Sequence, residues 1–495
     1  MIDLSPFSLE GIRGNIQRTV QIAQGKIRLL AGRWNPQEGS PVFSRQGRYT
    51  LQGWTEWTQG FQFGAPLLVY DLTSESWFLE YGRTNTLTYM PVHLTHRGVH
   101  DHGFNNISTY GNLLRLARSN KMEASFWEEQ YYSLALRVSG AVQASRFKEL
   151  PGDLGYIYSF NGPHSLFADT IRSLRSLAQA YLLGQILMEE QDSKVNLLRR
   201  LLQHAETTAR YIVYFGTGRD SWDVRGRTAH EAIFNPVNGA FRNPSTQQGY
   251  SPFSTWTRGL AWILLGFAEE LEFIQTLSEE EIQSLSLPYY PTKASVLKRF
   301  METAQAVADY YLETTPPDGI PYWDTGAPLL HNLDLSKPAD PQNPYEPVDS
   351  SAAAIAAQGL LRLAAYSLSY EKQQNSAASL SKSSDTFPTS SQPQLTQPNL
   401  SLSELLKHPY GVAGLRTALT LMQEPYLSVR ENHEGLLLHA VYHRPNGWDY
   451  LPPGAKVPHG EACMWGDYHF LELALYLQRL IEGKPYSFFV KGGSV

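Results

Sequence analysis

Apolar residues along this chain recur every three to four positions far more often than every second one. That is the period of helices with a buried face. Ile12, Ile16, Val20 and Ile27 follow it, as do Leu113, Leu114 and Leu116, then Leu197, Leu198, Leu201 and Leu202, and later Leu297, Phe300, Ala304 and Val307. The spacing predicts helices over 8–31, 59–72, 75–95, 103–118, 123–144, 166–188, 191–213, 253–275, 290–315, 347–370, 409–425 and 462–482, with little strand signal between them. No fixed-period repeat connects them, which sets aside a short-repeat solenoid. Several are apolar on more than one side. The clearest is 256–267 (WTRGLAWILLGF), and a helix of that kind must be covered by neighbours all round. Such a set suits one all-α domain over 1–495, an α/α toroid whose inner helices are wrapped by outer ones and whose loops form a cup at one end. A two-domain α-solenoid is the alternative. The long aromatic and polar connections at 32–57, 145–165, 214–252 and 316–346 speak against it, because loops of that length in a compact domain are usually functional.

One stretch breaks the pattern. Residues 371–402 are rich in Ser, Gln and Pro and nearly free of apolar side chains, so they cannot bury enough surface to offset their ordering entropy. A disordered surface insertion between two helices is expected there.

Composition narrows the partners. The 41 Lys and Arg against 47 Asp and Glu give a net charge of −6, with no basic stripe to neutralise a run of phosphates, so no nucleic acid is expected. No run of ~18 apolar residues predicts a membrane span. The single Cys463 excludes an internal disulfide framework, and the polar N-terminal stretch carries no apolar signal core, so a cytoplasmic protein is expected. Aromatic residues make up 12% of the chain, enough to line a ligand cup.

Candidate chemistry gathers in three places. Asp101 lies in HDHGF between His100 and His102, where a carboxylate beside imidazoles can have a displaced pKa suited to proton transfer. It could equally cap the helix beginning at Gly103. Histidines two apart diverge on a helix, so neither a metal nor any other cofactor is inferred. Asp169 begins a helix whose face continues through Ser173, Ser176 and Ala180, small residues that suggest a carboxylate looking into a cavity; a surface Asp favoured by the helix dipole is the alternative. Arg258 falls in the first turn of the helix after Ser254 and Thr255, with Trp262 one turn on. A cation and an apolar plate presented together would suit a sugar acid, although an Arg paired with a protein carboxylate is the common case. His230, taken alone, reads as a hydrogen-bonded structural histidine.

As a set, eight stretches resemble one family. They are WTQGF (57–61), HDHGF (100–104), ADTIRSL (168–174), AHEAIFNP (229–236), QGYSPFSTWTRGLAW (248–262), DSSAAAIAAQGLLRLA (349–364), LLHAVYHRP (437–445) and WGDYHFLELAL (465–475). In this order they are similar to the unsaturated glucuronyl hydrolases, glycoside hydrolase family 88. The resemblance implies an (α/α)6 barrel that removes 4,5-unsaturated glucuronic acid from the non-reducing end of lyase-generated oligosaccharides. It assigns the general acid and base to Asp169 with Asp101 assisting. It further gives carboxylate and ring binding to His230, Gln248, Arg258 and Trp262, an aromatic wall to Trp57, and a further contact to Trp465. The implied partner is an oligosaccharide ending in a uronic acid. His102 departs from the family's Leu or Ile and could alter the pKa of Asp101; Ser173–Leu174 and Pro252–Phe253 also depart. These changes leave room for saturated glucuronides as substrates. A sugar isomerase on a similar toroid and a non-catalytic glycan-binding protein are the competing classes.

Overall fold

Twelve principal helices alternate between two layers among the residues described in the computed structural model, which are 1–53, 56–381, 400–484, 486, 488 and 489 (backbone alone at 373 and 375–381). The outer layer is α1 (Ile12–Arg33), α3 (Ser76–Tyr89), α5 (Phe126–Ser145), α7 (Leu197–Tyr211), α9 (Lys293–Thr314) and α11 (Pro409–Leu421). The inner layer begins with α2 (Gln59–Thr73) and α4, which runs through His102–Asn106, a π-turn at Ile107–Gly111 and Asn112–Arg118. It continues with α6 (Thr170–Ser173 and Arg175–Leu182), α8 (Thr257–Gln275), α10 (Ser350–Ser381) and α12 (Met464–Glu482). Each inner helix packs on the inner ones before and after it, and α12 closes the ring against α2. This is the all-α ring that the helical period predicts.

Strict alternation fixes the direction of every helix. All six inner helices start at the same end of the ring, the mouth, and every outer-to-inner connection lies there: 34–58, 90–101, 146–169, 212–256, 315–349 and 422–463. The four long loops singled out by their composition are therefore mouth loops. At the opposite end the connections 74–75, 119–125, 183–196 and 276–292 are each shorter than every mouth connection but 90–101.

The helices arise from ordinary local chemistry. Ser125 and Glu128 form a capping box at α5, Thr292 caps α9, and the Asn196 side chain accepts from Leu198 and Arg199 N–H at the start of α7. The inner helices differ at the mouth. At α2, α4, α6, α8 and α12 the N-cap residue's own side chain makes no capping hydrogen bond, although Asn105 accepts from Gly60 N–H in α2 and Ser173 from Gly103 N–H in α4. At α10 the preceding Asp349 caps its own helix, its Oδ1 accepting from the N–H groups of Ser351 and Ala352.

The expected helix over 166–188 is shorter at both ends. Ser165–Phe167 is instead the edge of a three-stranded antiparallel sheet with Glu231–Phe234 and Phe241–Ser245, and Ile186–Met188 pairs with Lys194–Asn196. The first pairing carries the backbone of His230 to the start of α6, where its carbonyl accepts from Ala168 N–H at 2.9 Å.

Deeper in the ring, charge replaces apolar packing. Arg172 contacts both Glu269 and Glu472 at 3.0 Å, Arg175 lies against the same pair, and Arg362 reaches Glu272 at 2.7 Å. Burial pushes Glu269 and Glu272 up to about 7. Below them Phe488 covers the Arg175 guanidinium at 4.8 Å, and the Tyr486 hydroxyl donates to Glu472 at 3.3 Å. Among the described residues no helix is long and apolar enough to cross a membrane.

The expected insertion has different edges. Helix α10 continues through Ser381, the Leu400 and Leu402 side chains are buried, and Lys372 pairs with Glu404 at 2.6 Å. The remainder of that expectation, 382–399, lies outside the described residues. Replacing 382–399 by a short flexible linker should therefore leave the melting temperature nearly unchanged. Deleting all of 371–402 removes two buried leucines worth ~1.5–3 kcal/mol each and should lower it by several degrees. Equal melting temperatures for the two deletions would show that Leu400 and Leu402 contribute nothing.

Candidate active site

At the mouth, Asp101 and Asp169 hold the residue position just before α4 and α6. Neither side chain caps its helix, so the capping alternative for Asp101 is not realised. Both carboxylates turn instead to one imidazole. His100 Nε2 lies 3.1 Å from Asp169 Oδ1 and 3.8 Å from Asp101 Oδ1, and all three side chains are nearly enclosed. Burial raises the Asp101 carboxyl above its ordinary range, and the Asp169 charge adds to the rise. Burial pushes Asp169 up too, but His100, His230 and Arg258 outweigh it and hold Asp169 below the usual carboxylate value. For His100 the two aspartates overcome burial and raise its pKa. The pair is thus split, with Asp169 the stronger acid in the free protein.

The backbone under this cluster is fixed from two helices. The His100 carbonyl accepts from Ser173 Oγ at 2.6 Å and Gln143 Nε2 at 2.8 Å, and Ser173 Oγ accepts from Gly103 N–H at 3.0 Å. A Cβ on Gly103 would overlap the Ser173 carbonyl, and one on Gly140 would overlap Ala180. The small-residue face of α6 is therefore a close-packing surface rather than the wall of a cavity. His102 points away from Asp101. Its ring nitrogens bond Ser139 Oγ and the His96 carbonyl, and burial lowers it to about 4, so it is neutral and does not shift Asp101.

His230 and Gln248 form a second side. His230 Nδ1 accepts from Gln247 N–H at 2.9 Å, which places the ring proton on Nε2, a buried atom with no protein partner. Burial lowers this histidine to about 4, so it is a neutral donor. Gln248 Oε1 accepts from Arg258 Nη2 at 2.9 Å, which leaves its amide N–H groups for a ligand.

Arg258 is the guanidinium expected to meet a ligand carboxylate, but its contacts are with protein. Nη1 donates to Asp349 Oδ2 at 2.6 Å and to the Val441 carbonyl; Nη2 donates to Gln248 and to the Tyr442 carbonyl. Its plane lies between Trp256 and Trp465. The four Nη–H groups are committed to protein partners, Gln248 among them. Trp262 is also not the expected plate beside it: neighbouring inner helices cover it, and it packs on Phe104 and His469 beneath the floor. Trp465 is fully buried and donates to Ser351 Oγ at 3.0 Å. Trp57 stacks on it at 5.1 Å and keeps a partly exposed face, so the wall is Trp57 backed by Trp465.

Sequence reasoning missed a third side. In loop 422–463, Asp449 accepts from Tyr442 and His443 N–H, and Trp448 packs on both rings. This hook carries aromatic residues from a point remote in the chain; Tyr442 and His443 fall in the stretch 437–445, but nothing local marks Trp448 or Asp449. Asp349 was legible only as a helix start (DSSAAA), not as the partner of Arg258. Among the described residues no group of three or more His, Cys, Asp or Glu side chains is placed to hold a metal ion.

The arrangement can transfer a proton between a carboxyl and a ligand held against an aromatic wall, at an end of the barrel where uncapped helix N-termini favour anions. Comparison with known proteins gives it a context. No protein-family model matches the chain. It is 24% identical over 452 residues to an unsaturated glucuronyl hydrolase from Bacillus sp. strain GL1, covering 90% of this chain and 92% of that protein. It is 25% identical over 319 residues to an unsaturated chondroitin disaccharide hydrolase from Streptococcus pneumoniae, covering 63% of this chain and 64% of that one. The crystal structure of the Bacillus enzyme superposes with a TM-score of 0.64 at 22% identity, over 97% of this chain and all of that one. An unsaturated glucuronyl hydrolase specific for heparin gives 0.64 at 19% identity, over 95% and 98%. The ring is accordingly an (α/α)6 barrel.

Replacing Arg258 by Ala would strand the buried Asp349 carboxylate. The expected cost is ~3–5 kcal/mol of stability, read as a large fall in melting temperature. An unchanged melting temperature would show that the pair does not hold the fold together.

Proposed function

We propose that this chain, related over 90% of its length to the unsaturated glucuronyl hydrolases, removes a terminal 4,5-unsaturated glucuronic acid from oligosaccharides left by polysaccharide lyases. The observation that carries this reading is the Asp101–His100–Asp169 cluster, set at the convergent N-termini of the inner helices and fringed by neutral donors. A uronate brings a carboxylate to that end of the helix dipoles. His230 Nε2–H and the Gln248 amide are the donors for its polar groups, and Trp57 offers the face on which the ring lies. Arg258 holds Gln248 in place.

Such a sugar is an enol ether, so acid can attack its double bond rather than the glycosidic oxygen. Asp169 gives a proton to C4, and the positive charge that develops at C5 is shared by the ring oxygen. Water adds to C5 and loses its proton to the same carboxylate. The hemiketal so formed opens and expels the aglycone without attack at C1. Asp169 is held ionised in the free protein, so it must take up its proton as substrate binds. An anionic ring that displaces water from the mouth works in that direction, because both changes disfavour a carboxylate. Asp101, on the other side of His100, assists as a second carboxylate against that imidazole.

A cytoplasmic location belongs to the same reading. Its support is the single buried Cys463, which needs no oxidising compartment.

Asp169→Asn should keep the fold and bind an unsaturated disaccharide while losing nearly all turnover, and Asp101→Asn should be strongly impaired. In heavy water, deuterium should appear at C4 of the product. Saturated aryl glucuronides should be cleaved poorly or not at all. Efficient cleavage of saturated glucuronides, or a product without deuterium at C4, would instead point to an ordinary inverting acid–base pair.

A further inference from the structure

We propose that His100 is the positioning residue that holds the catalytic proton between turnovers and hands it to Asp169. This rests on the reading of the site given above and adds the source of the proton that an ionised Asp169 lacks.

The geometry allows one route. His100 Nε2 is within hydrogen-bond distance of Asp169 Oδ1, at 3.1 Å, while Asp101 at 3.8 Å is near enough to favour an imidazolium but too far to take its proton directly. The ring cannot swing away. Phe160 stacks over it at 6.2 Å, Phe167 meets it edge-on at 5.5 Å, and Ser173 and Gln143 both donate to its backbone carbonyl. Charged groups face it from several elements. Asp101 comes from loop 90–101 and Asp169 from loop 146–169, with Arg146 at the start of that loop opposing them. Arg146 is partly engaged by the carbonyls of Tyr158 and Ser159. Of the nearby histidines, His204 on α7 is lowered to about 3 and His230 to about 4 by burial, so both are neutral. Two carboxylates against one engaged guanidinium favour the protonated form of His100, although its buried Nδ1 has no protein partner.

The resting state proposed for the free protein is an imidazolium–carboxylate pair across the 3.1 Å contact of His100 Nε2 with Asp169 Oδ1. When a uronate enters, it adds a negative charge and removes water. A buried ion pair is costly without solvation, so the Nε2 proton moves to Asp169 and leaves a neutral pair. Asp169 passes that proton to C4: its O–H bond breaks, the C4=C5 π electrons form the C4–H bond, and C5 accepts the oxygen of water. The proton released by that water returns through Asp169 to Nε2.

Two measurements test this. In histidine-labelled full-length protein, the His100 imidazole should titrate above about 6.5, the ordinary value, and its pKa should fall by at least about one unit in Asp169→Asn. A His100 that titrates below 6.5 and ignores that substitution overturns the proposal, whatever the enzyme's substrate. In turnover of an unsaturated disaccharide, His100→Gln should lower kcat about 100-fold or more at pH 7 with KM changed little. The alkaline limb of its profile should move to lower pH, since Asp169 must then draw its proton from solvent. A wild-type pH profile in His100→Gln, or an equal loss at every pH, would also overturn it. Absence of turnover by the wild-type protein would instead refute the functional reading, and the titration would still decide whether the two groups share a proton.

Discussion

Every feature of the site follows from six inner helices being forced to run in parallel. A chain that alternates outer and inner helices has no other way to close a two-layer ring, and the result is six positive helix ends aimed at one opening. Isolated helices would quench those ends with Ser, Thr or Asn, as the outer helices α5, α7 and α9 do. At the mouth, five of the inner helices have no N-cap side chain bonded to their own first turn, and only at α2 and α4 does a side chain of another helix meet one N–H, Asn105 and Ser173 respectively. The same field that would draw an anionic sugar inward helps to hold Asp101 and Asp169 at their helix starts, where a carboxylate is least costly. It also explains why the cations nearby, Arg146 and Arg258, are tied down by carbonyls and Asp349 rather than left free.

The axis of the barrel shows the complementary solution. Inner helices must present some face to the centre of the ring, and α6, α8, α10 and α12 present Arg172, Arg175, Glu269, Arg362 and Glu472. Such a buried network is poor evidence for stability in itself. Its value here lies in register. A one-residue slip of any of the four helices would separate a charge from its partner far from water, and the same slip would displace the mouth residues at the start of that helix. Placement of the mouth residues is thereby secured from below, by side chains buried in the ring.

Much of this was legible in the sequence, and what was not has a common cause. The helices were readable because a buried face imposes its period on each of them separately. Asp101 and Asp169 were readable as members of a motif set, though their meeting at His100 was not readable from spacing. The failures concern partners remote in sequence. Arg258 looked available because Asp349 is 91 residues away. Trp262 looked presented because the helices that cover it are elsewhere in the ring. The small face of α6 suggested a cavity because spacing cannot distinguish an empty neighbour from a close one, and the discriminating residues, Gly103 and Gly140, lie on other helices. The start of α6 was overextended because Ser165–Phe167 is held as a strand by a partner some 65 residues on. His102 seemed relevant because it adjoins Asp101, yet helical geometry turns it to Ser139.

The closure of the ring by α12 sets the order in which the molecule can be completed during synthesis. That helix bridges α2 and α10 and carries Trp465, on which Trp57 stacks, and Glu472, the counter-ion of Arg172. Until it has left the ribosome, Trp57 has no backing and an inward-facing arginine has lost one of its two carboxylates. Domains generally fold as units as the chain emerges, but here the unit is not available until the twelfth helix arrives. A nascent chain several hundred residues long would therefore wait with its mouth unfinished, exposed to chaperones and proteases, and competence would come with the final strap of the barrel rather than by degrees.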